Sequence, residues 1–136
     1  MRALVRRRTD EGAAAVEMAL LLPILLIIVF GIIDFGRAYN TQIALTQGAR
    51  EGVRGLAIGT VTDPTAKTTS AAYPVTGITV TWTSCPANPT STSVATVTAT
   101  KQFSYITPIS GIFNLLGLNS LAAPVITGKG EMRCGG

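Results

Sequence analysis

The alternation of apolar and polar positions divides this chain into three parts. Met18–Ile33 reads MALLLPILLIIVFGII and carries no charge. Arg2, Arg6, Arg7 and Arg8 cluster before it, and Thr and Ser are frequent after Ile58. Extending the apolar run back to Ala13 gives about 21 residues, or roughly 31 Å of helix, which matches the hydrocarbon core of a bilayer. The basic cluster predicts that the N-terminus stays in the cytoplasm and that the rest lies outside, in a single pass of the cytoplasmic membrane. Pro23 removes one intrahelical hydrogen bond and predicts a kink or local loosening, which membrane helices tolerate because neighbours can satisfy the freed carbonyl.

Beyond the apolar run the helical rhythm continues. Phe35, Tyr39 and Ile43 recur at i, i+4 and i+8, and Leu45, Ala49 and Val53 extend a four-residue spacing. Asp34–Arg37 and Glu51–Arg54 form i, i+3 opposite-charge pairs on such a helix, each contributing a few tenths of a kcal/mol at most. Gly48 and Gly52, then Gly55 and Gly59, are small-xxx-small steps that let a packing partner approach the backbone. The alternative is fraying toward an end near Gly59, since an exposed helical glycine costs about 1 kcal/mol. One helix from Ala13 to Ile58 would be roughly 69 Å long.

The C-terminal half has strand periodicity. Thr60–Tyr73 reads as a loop. Gly77–Thr83 alternates, with Ile78, Val80 and Trp82 on one face, and Val94–Tyr105 alternates again, predicting an antiparallel pair around the turn cluster Cys85–Thr90. Pro108–Leu118 (PISGIFNLLGL) is a short apolar helix or loop with Ile109, Ile112, Phe113 and Leu116 at helical spacing. It is expected to cover one face of the sheet; if exposed, it would mark a partner surface. Leu121–Cys134 is the last strand, interrupted by Pro124 and Gly128 and so placed at an edge. The fold class is therefore α+β: a long N-terminal transmembrane and stalk helix followed by a small antiparallel-sheet head. The expected divisions are 1–12, 13–33, 34–59 and 60–136.

Composition narrows the function. The chain has 136 residues, which leaves a head of about 75 residues, near the lower limit for a self-supporting core. Net charge is +4, of which residues 2–11 supply +2 (four arginines against Asp10 and Glu11), so no nucleic-acid footprint remains downstream. Histidine is absent and only seven carboxylates exist. A Ser-His-Asp set is impossible, Asp63 and Glu131 stand alone in the head, and no metal or cofactor site is expected. An enzyme is not expected. Cys85 and Cys134 lack C-x-x-C spacing. In an oxidising compartment they would pair, closing a loop of about 50 residues worth roughly 4 kcal/mol in the chain-entropy model. Two free thiols are the alternative.

Glu17 is the unexplained residue. A carboxylate at the mouth of an apolar helix is costly and marks a functional site. A secretory signal would need a small-x-small site after the apolar run, where Asp34-Phe35-Gly36-Arg37-Ala38-Tyr39 offers no convincing one. A plain signal anchor fits the hydropathy but gives Glu17 no purpose. Cutting between Gly12 and Ala13 accounts for the glycine, the small residues and the glutamate together. Solvation of Glu17 among headgroups is the simpler alternative.

Glycine, four residues, then glutamate before an apolar helix resembles the prepilin-peptidase site of type IV pilins. The longer string is similar to the TadE-like family of tight-adherence pilus systems through Ala15-Val16-Glu17, Pro23, Gly31-Ile32-Ile33-Asp34-Phe35-Gly36-Arg37 and Ala49-Arg50-Glu51-Gly52-Val53-Arg54. The resemblance covers about 45 residues. It implies a prepilin peptidase that removes residues 1–12, a glycine because no side chain then blocks access to the scissile bond. It also implies that Glu17 pairs with the new ammonium of Ala13 on a neighbouring subunit, relieving two isolated charges at once. The implied partners are other pilin-like subunits, the pilus assembly machinery and membrane lipid. The implied role is a minor pilin or pseudopilin, since the chain exceeds the very short major subunits. A membrane-anchored extracytoplasmic binding module, uncleaved and without a filament role, is the alternative.

Overall fold

A computed structural model describes residues 6–115, 117 and 122–134, with side chains from Gly12 onward. Residues 1–5 of the expected leader, Leu116 and Leu118 of the apolar segment, and Leu121 at the start of the expected last strand lie outside the described residues. In chain order the elements are α1 (Arg6–Ala57), α2 (Thr65–Ala71), β1 (Thr79–Thr83), β2 (Val94–Gln102), α3 (Ile109–Leu115) and β3 (Val125–Arg133). The architecture is α+β, as the hydropathy pattern predicts. The chain falls into two compact units: Met1–Phe35 with Tyr105–Leu121, and Gly36–Ser104 with Ala122–Gly136.

Helix α1 runs through Pro23 without a break. It ends at a Schellman motif rather than by fraying. Gly59 takes φ +70°, a conformation that glycine alone adopts without strain. The Thr60 N–H donates to Gly55 O at 3.0 Å, and the Gly59 N–H to Leu56 O at 3.1 Å. These bonds satisfy carbonyls that a helix end otherwise orphans.

In the second unit, β1, β2 and β3 form a three-stranded antiparallel sheet in that order. The last strand is thus at an edge. Cross-strand register puts Val80 opposite Ala99 and Trp82 opposite Val97 on β1–β2, and Ala99 opposite Gly128 and Val97 opposite Gly130 on β2–β3. These residues share the inner face, where Ala95, Val97, Ala99 and Ile126 are buried. Trp82 shares that row but stays 40% exposed. The opposite face carries cross-strand pairs Thr79–Thr100, Thr81–Thr98 and Thr83–Thr96. Lys129 and Glu131 continue that polar face with an exposed ion pair at 2.6 Å.

Two close approaches define how α1 is packed in this unit. A Cβ on Gly128 would stand 2.6 Å from Leu45 O, and one on Gly130 would stand 2.6 Å from Ala49 O. The interruption expected at Gly128 is therefore absent: both glycines are inside β3 and let the helix backbone rest on the sheet. On an adjoining face, a Cβ on Gly48 would stand 2.5 Å from Thr68 O and 2.9 Å from Ala72 Cβ. Gly52 faces the Thr68 hydroxyl and Pro64. Leu45, Ala49, Val53 and Leu56 complete the buried side of the helix.

Helix α2 corrects the expectation of a loop over Thr60–Tyr73. Its Thr-rich sequence has little intrinsic helicity, so packing on Gly48 and Gly52 decides the outcome. Asp63 Oδ1 accepts the Thr65 N–H at 2.8 Å and starts the turn. The Thr65 hydroxyl first, then its backbone N–H, hold the Asp63 carboxyl below the ordinary aspartate range.

Cys85 and Cys134 form a disulfide with Cα atoms 5.8 Å apart. It joins the β1–β2 connection to the end of β3. The Cys134 N–H also donates to Ser93 O at 2.9 Å. A short chain with few large core side chains gains its closure here from a covalent link.

Candidate functional site

The surface of α1 from Gly12 to Ile33 is the first part of the site. Val16, Met18, Leu20, Leu21, Ile24, Leu25, Ile28 and Ile32 are all exposed. One helix in the described residues, Gly12–Ala57, is long and apolar enough to cross a membrane, and its most apolar stretch is unburied by the protein. Such a surface needs lipid or other helices around it. Gly12, Ala13 and Glu17 all lie on this helix and are exposed. Glu17 is exposed on this helix, between the exposed Val16 and Met18 in sequence. Pro23 is exposed on the same helix, and the proline ring offers no N–H to Ala19 O.

At the C-terminal end of the apolar run, Asp34 is buried to 4% exposure. Its Oδ1 accepts the Ile106 N–H at 3.2 Å, and its Oδ2 accepts the Thr107 hydroxyl. These bonds anchor the segment that leads into α3. The half-buried positions Leu26, Ile27, Phe30 and Gly31 lie on the same side of α1 as Asp34. Ile109 of α3 is buried, and Ile112 and Phe113 are half-buried. Helix α3 belongs to the unit built on the apolar part of α1.

Arg37, one turn further along α1, acts within the second unit. Its Nη1 donates to Ser104 O at 3.3 Å, and its guanidinium carbon lies 5.5 Å from the centroid of the buried Phe103 ring. The geometry is that of a cation–π contact, in which the ring face attracts the guanidinium. Gln42 adds a tie from α1 to β3 by donating to Thr127 O at 2.7 Å.

A cleft of about 490 Å³ is lined by Arg50, Glu51, Arg54 and Glu131 among others, charges of both signs on an open surface. Among the described residues, no group of three His, Cys, Asp or Glu is placed to hold a metal ion.

Sequence reasoning sees Asp34 as half of an i, i+3 opposite-charge pair and does not see its hydrogen bonds to Ile106 and Thr107. The signal is present: a lone carboxylate directly after an uncharged helix is expensive unless something satisfies it. It also misses Gly128 and Gly130, whose alternation with Thr127, Lys129 and Glu131 places both on the buried face.

Comparison with curated proteins and with solved structures finds no match. A family model described as TadE-like protein matches residues 12–54. That segment contains Gly12, Glu17, Pro23, Asp34, Arg37, Gly48 and Gly52, and stops three residues before α1 does. From the glycine before the apolar run to the last arginine of the helix, the chain is similar to TadE-like proteins.

Proposed function

We propose that the protein is a structural component of a tight-adherence pilus or secretion system, as a minor pilin or pseudopilin. The TadE-like segment points to a pilus-associated protein. The observation that supports the finer reading is a bare apolar helix that presents Gly12 and Glu17 together near one end. A prepilin peptidase cuts after Gly12, and Ala13 becomes the new N-terminus. The ammonium of Ala13 on one subunit then meets Glu17 on its neighbour as the helices pack. Either charge alone in hydrocarbon is strongly disfavoured, and pairing makes side-by-side helices the favoured state. The helix stays in the cytoplasmic membrane until the assembly machinery takes it up, with the head on the outer side. In this reading the head is scaffold and contact surface and carries no chemistry.

Intact mass and N-terminal sequencing of protein from a native membrane with an active prepilin peptidase test the proposal. Loss of residues 1–12 is expected. Full-length protein overturns the processing step and favours an anchored binding module instead. Substituting Glu17→Ala is expected to leave processing intact and to stop assembly. Normal assembly of that variant would remove the charge-pairing role.

A further inference from the structure

From Gln102 to Gly128 the chain carries no charged residue, although charges flank this stretch at Lys101 and Lys129. Its described part, Tyr105–Leu115, groups with the apolar portion of α1 and is fixed to it through Asp34. Helix α3 turns Ile109 inward, with Ile112 and Phe113 half-buried. Leu115 points the other way and is 88% exposed, and Ile106 is 63% exposed. A seven-residue helix is not stable on its own in water, so its inner side is held by packing while Leu115 and Ile106 stay uncovered.

We propose that the segment Ile106–Leu115 is a second membrane contact, lying in the lipid interface beside the C-terminal end of the transmembrane run. The occupant of its outer face is the lipid bilayer. Continuity with the span fixes the depth of this segment. Asp34 directly follows the uncharged run Met18–Ile33, so its two hydrogen bonds set Ile106 and Thr107 at the level where that run leaves the hydrocarbon. Phe35, exposed at the same level, adds an apolar aromatic ring beside them. An uncharged segment with apolar residues on its outer face, held at that depth, lies in the headgroup–acyl boundary as interfacial helices do. Asp34 then has a defined role, because its carboxylate satisfies the Ile106 amide and the Thr107 hydroxyl, polar groups that would otherwise enter the interface unpaired. This contact rests on α1 spanning the membrane, and the following experiment separates the two.

The full chain carrying Trp82→Phe, which silences the native indole, is reconstituted into phosphatidylcholine vesicles with or without acyl-brominated lipid. Single reporters are placed by Leu115→Trp and Ile106→Trp, and by Leu25→Trp within the span. The L115W and I106W indoles are expected to emit at shorter wavelength than indole in water and to lose intensity to brominated lipid, as L25W does. Adding Asp34→Ala to L115W is expected to reduce that quenching. Quenching of L25W with none at L115W or I106W overturns the proposal and leaves the span standing. A blue-shifted but unquenched L115W indole means a protein surface covers it, and overturns the proposal too. If L25W itself is unquenched, the span reading fails and the interfacial contact fails with it.

Discussion

Thr107 donates its hydroxyl to the carboxylate of Asp34, 73 residues earlier in the chain, and the Ile106 N–H bonds to the same group. A residue of the family-matched helix thereby positions a segment that no sequence pattern connects to it. The carboxylate is buried, and these donors help to offset the cost of burying its charge.

Removing that acceptor leaves the Ile106 amide and Thr107 hydroxyl without it. Asp34→Ala is expected to weaken the attachment of residues 105–115 by about 1–3 kcal/mol. Amide hydrogen exchange at Ile106 should accelerate accordingly, with exchange in β2 and β3 unchanged.

Gly130 admits no side chain, because a Cβ would meet the Ala49 carbonyl oxygen at 2.6 Å and that atom belongs to helix backbone. Gly130→Ala is expected to push α1 off the sheet and destabilise the second unit by about 1–3 kcal/mol or more. A change of similar size should follow Gly128→Ala, while Gly12→Ala, with open space around it, should leave denaturant midpoints where they are.

Thr68 is fully buried against Gly52, and its hydroxyl has no hydrogen-bond partner among the described residues. Thr68→Val keeps the shape and removes the unsatisfied group. It is expected to raise stability by about 1 kcal/mol, read as a higher urea midpoint with an unchanged slope.

Asp63 supplies a pH dependence. The Thr65 hydroxyl and N–H favour its ionised form, so the native carboxyl titrates below the unfolded one. The support it gives α2 is fully present above the unfolded aspartate range and is lost as pH falls through the lowered native value. Amide exchange at Thr65 should therefore quicken on acidification through that window, and Asp63→Asn should flatten the response.

The Cys85–Cys134 link closes a loop across a sequence separation of 49 residues. Replacing both cysteines by serine is expected to cost about 4 kcal/mol in the chain-entropy model. For so small a head this should appear as loss of the cooperative thermal transition at physiological temperature, and reduction of the native protein should do the same.

The sequence alone determined the long helix and the two alternating strands, because each follows from local periodicity, while the edge position of the third was inferred from Pro124 and Gly128. A carbon-rich run of helical length and a strict two-residue alternation leave few other solutions. It also marked Gly12 and Glu17, since a charge beside an apolar run is conspicuous without coordinates. Tertiary structure decided the rest. Thr65–Ala71 became helix because Gly48 and Gly52 offered it a surface, which outweighed a poor intrinsic propensity. Gly128 and Gly130 became contact points because α1 lies on them, where the sequence alone suggested a broken strand. The apolar segment after Pro108 groups with the apolar part of α1, where Asp34 holds Ile106 and Thr107. In each case the deciding partner lies far away in sequence, and local pattern carries no information about which distant surface will meet it.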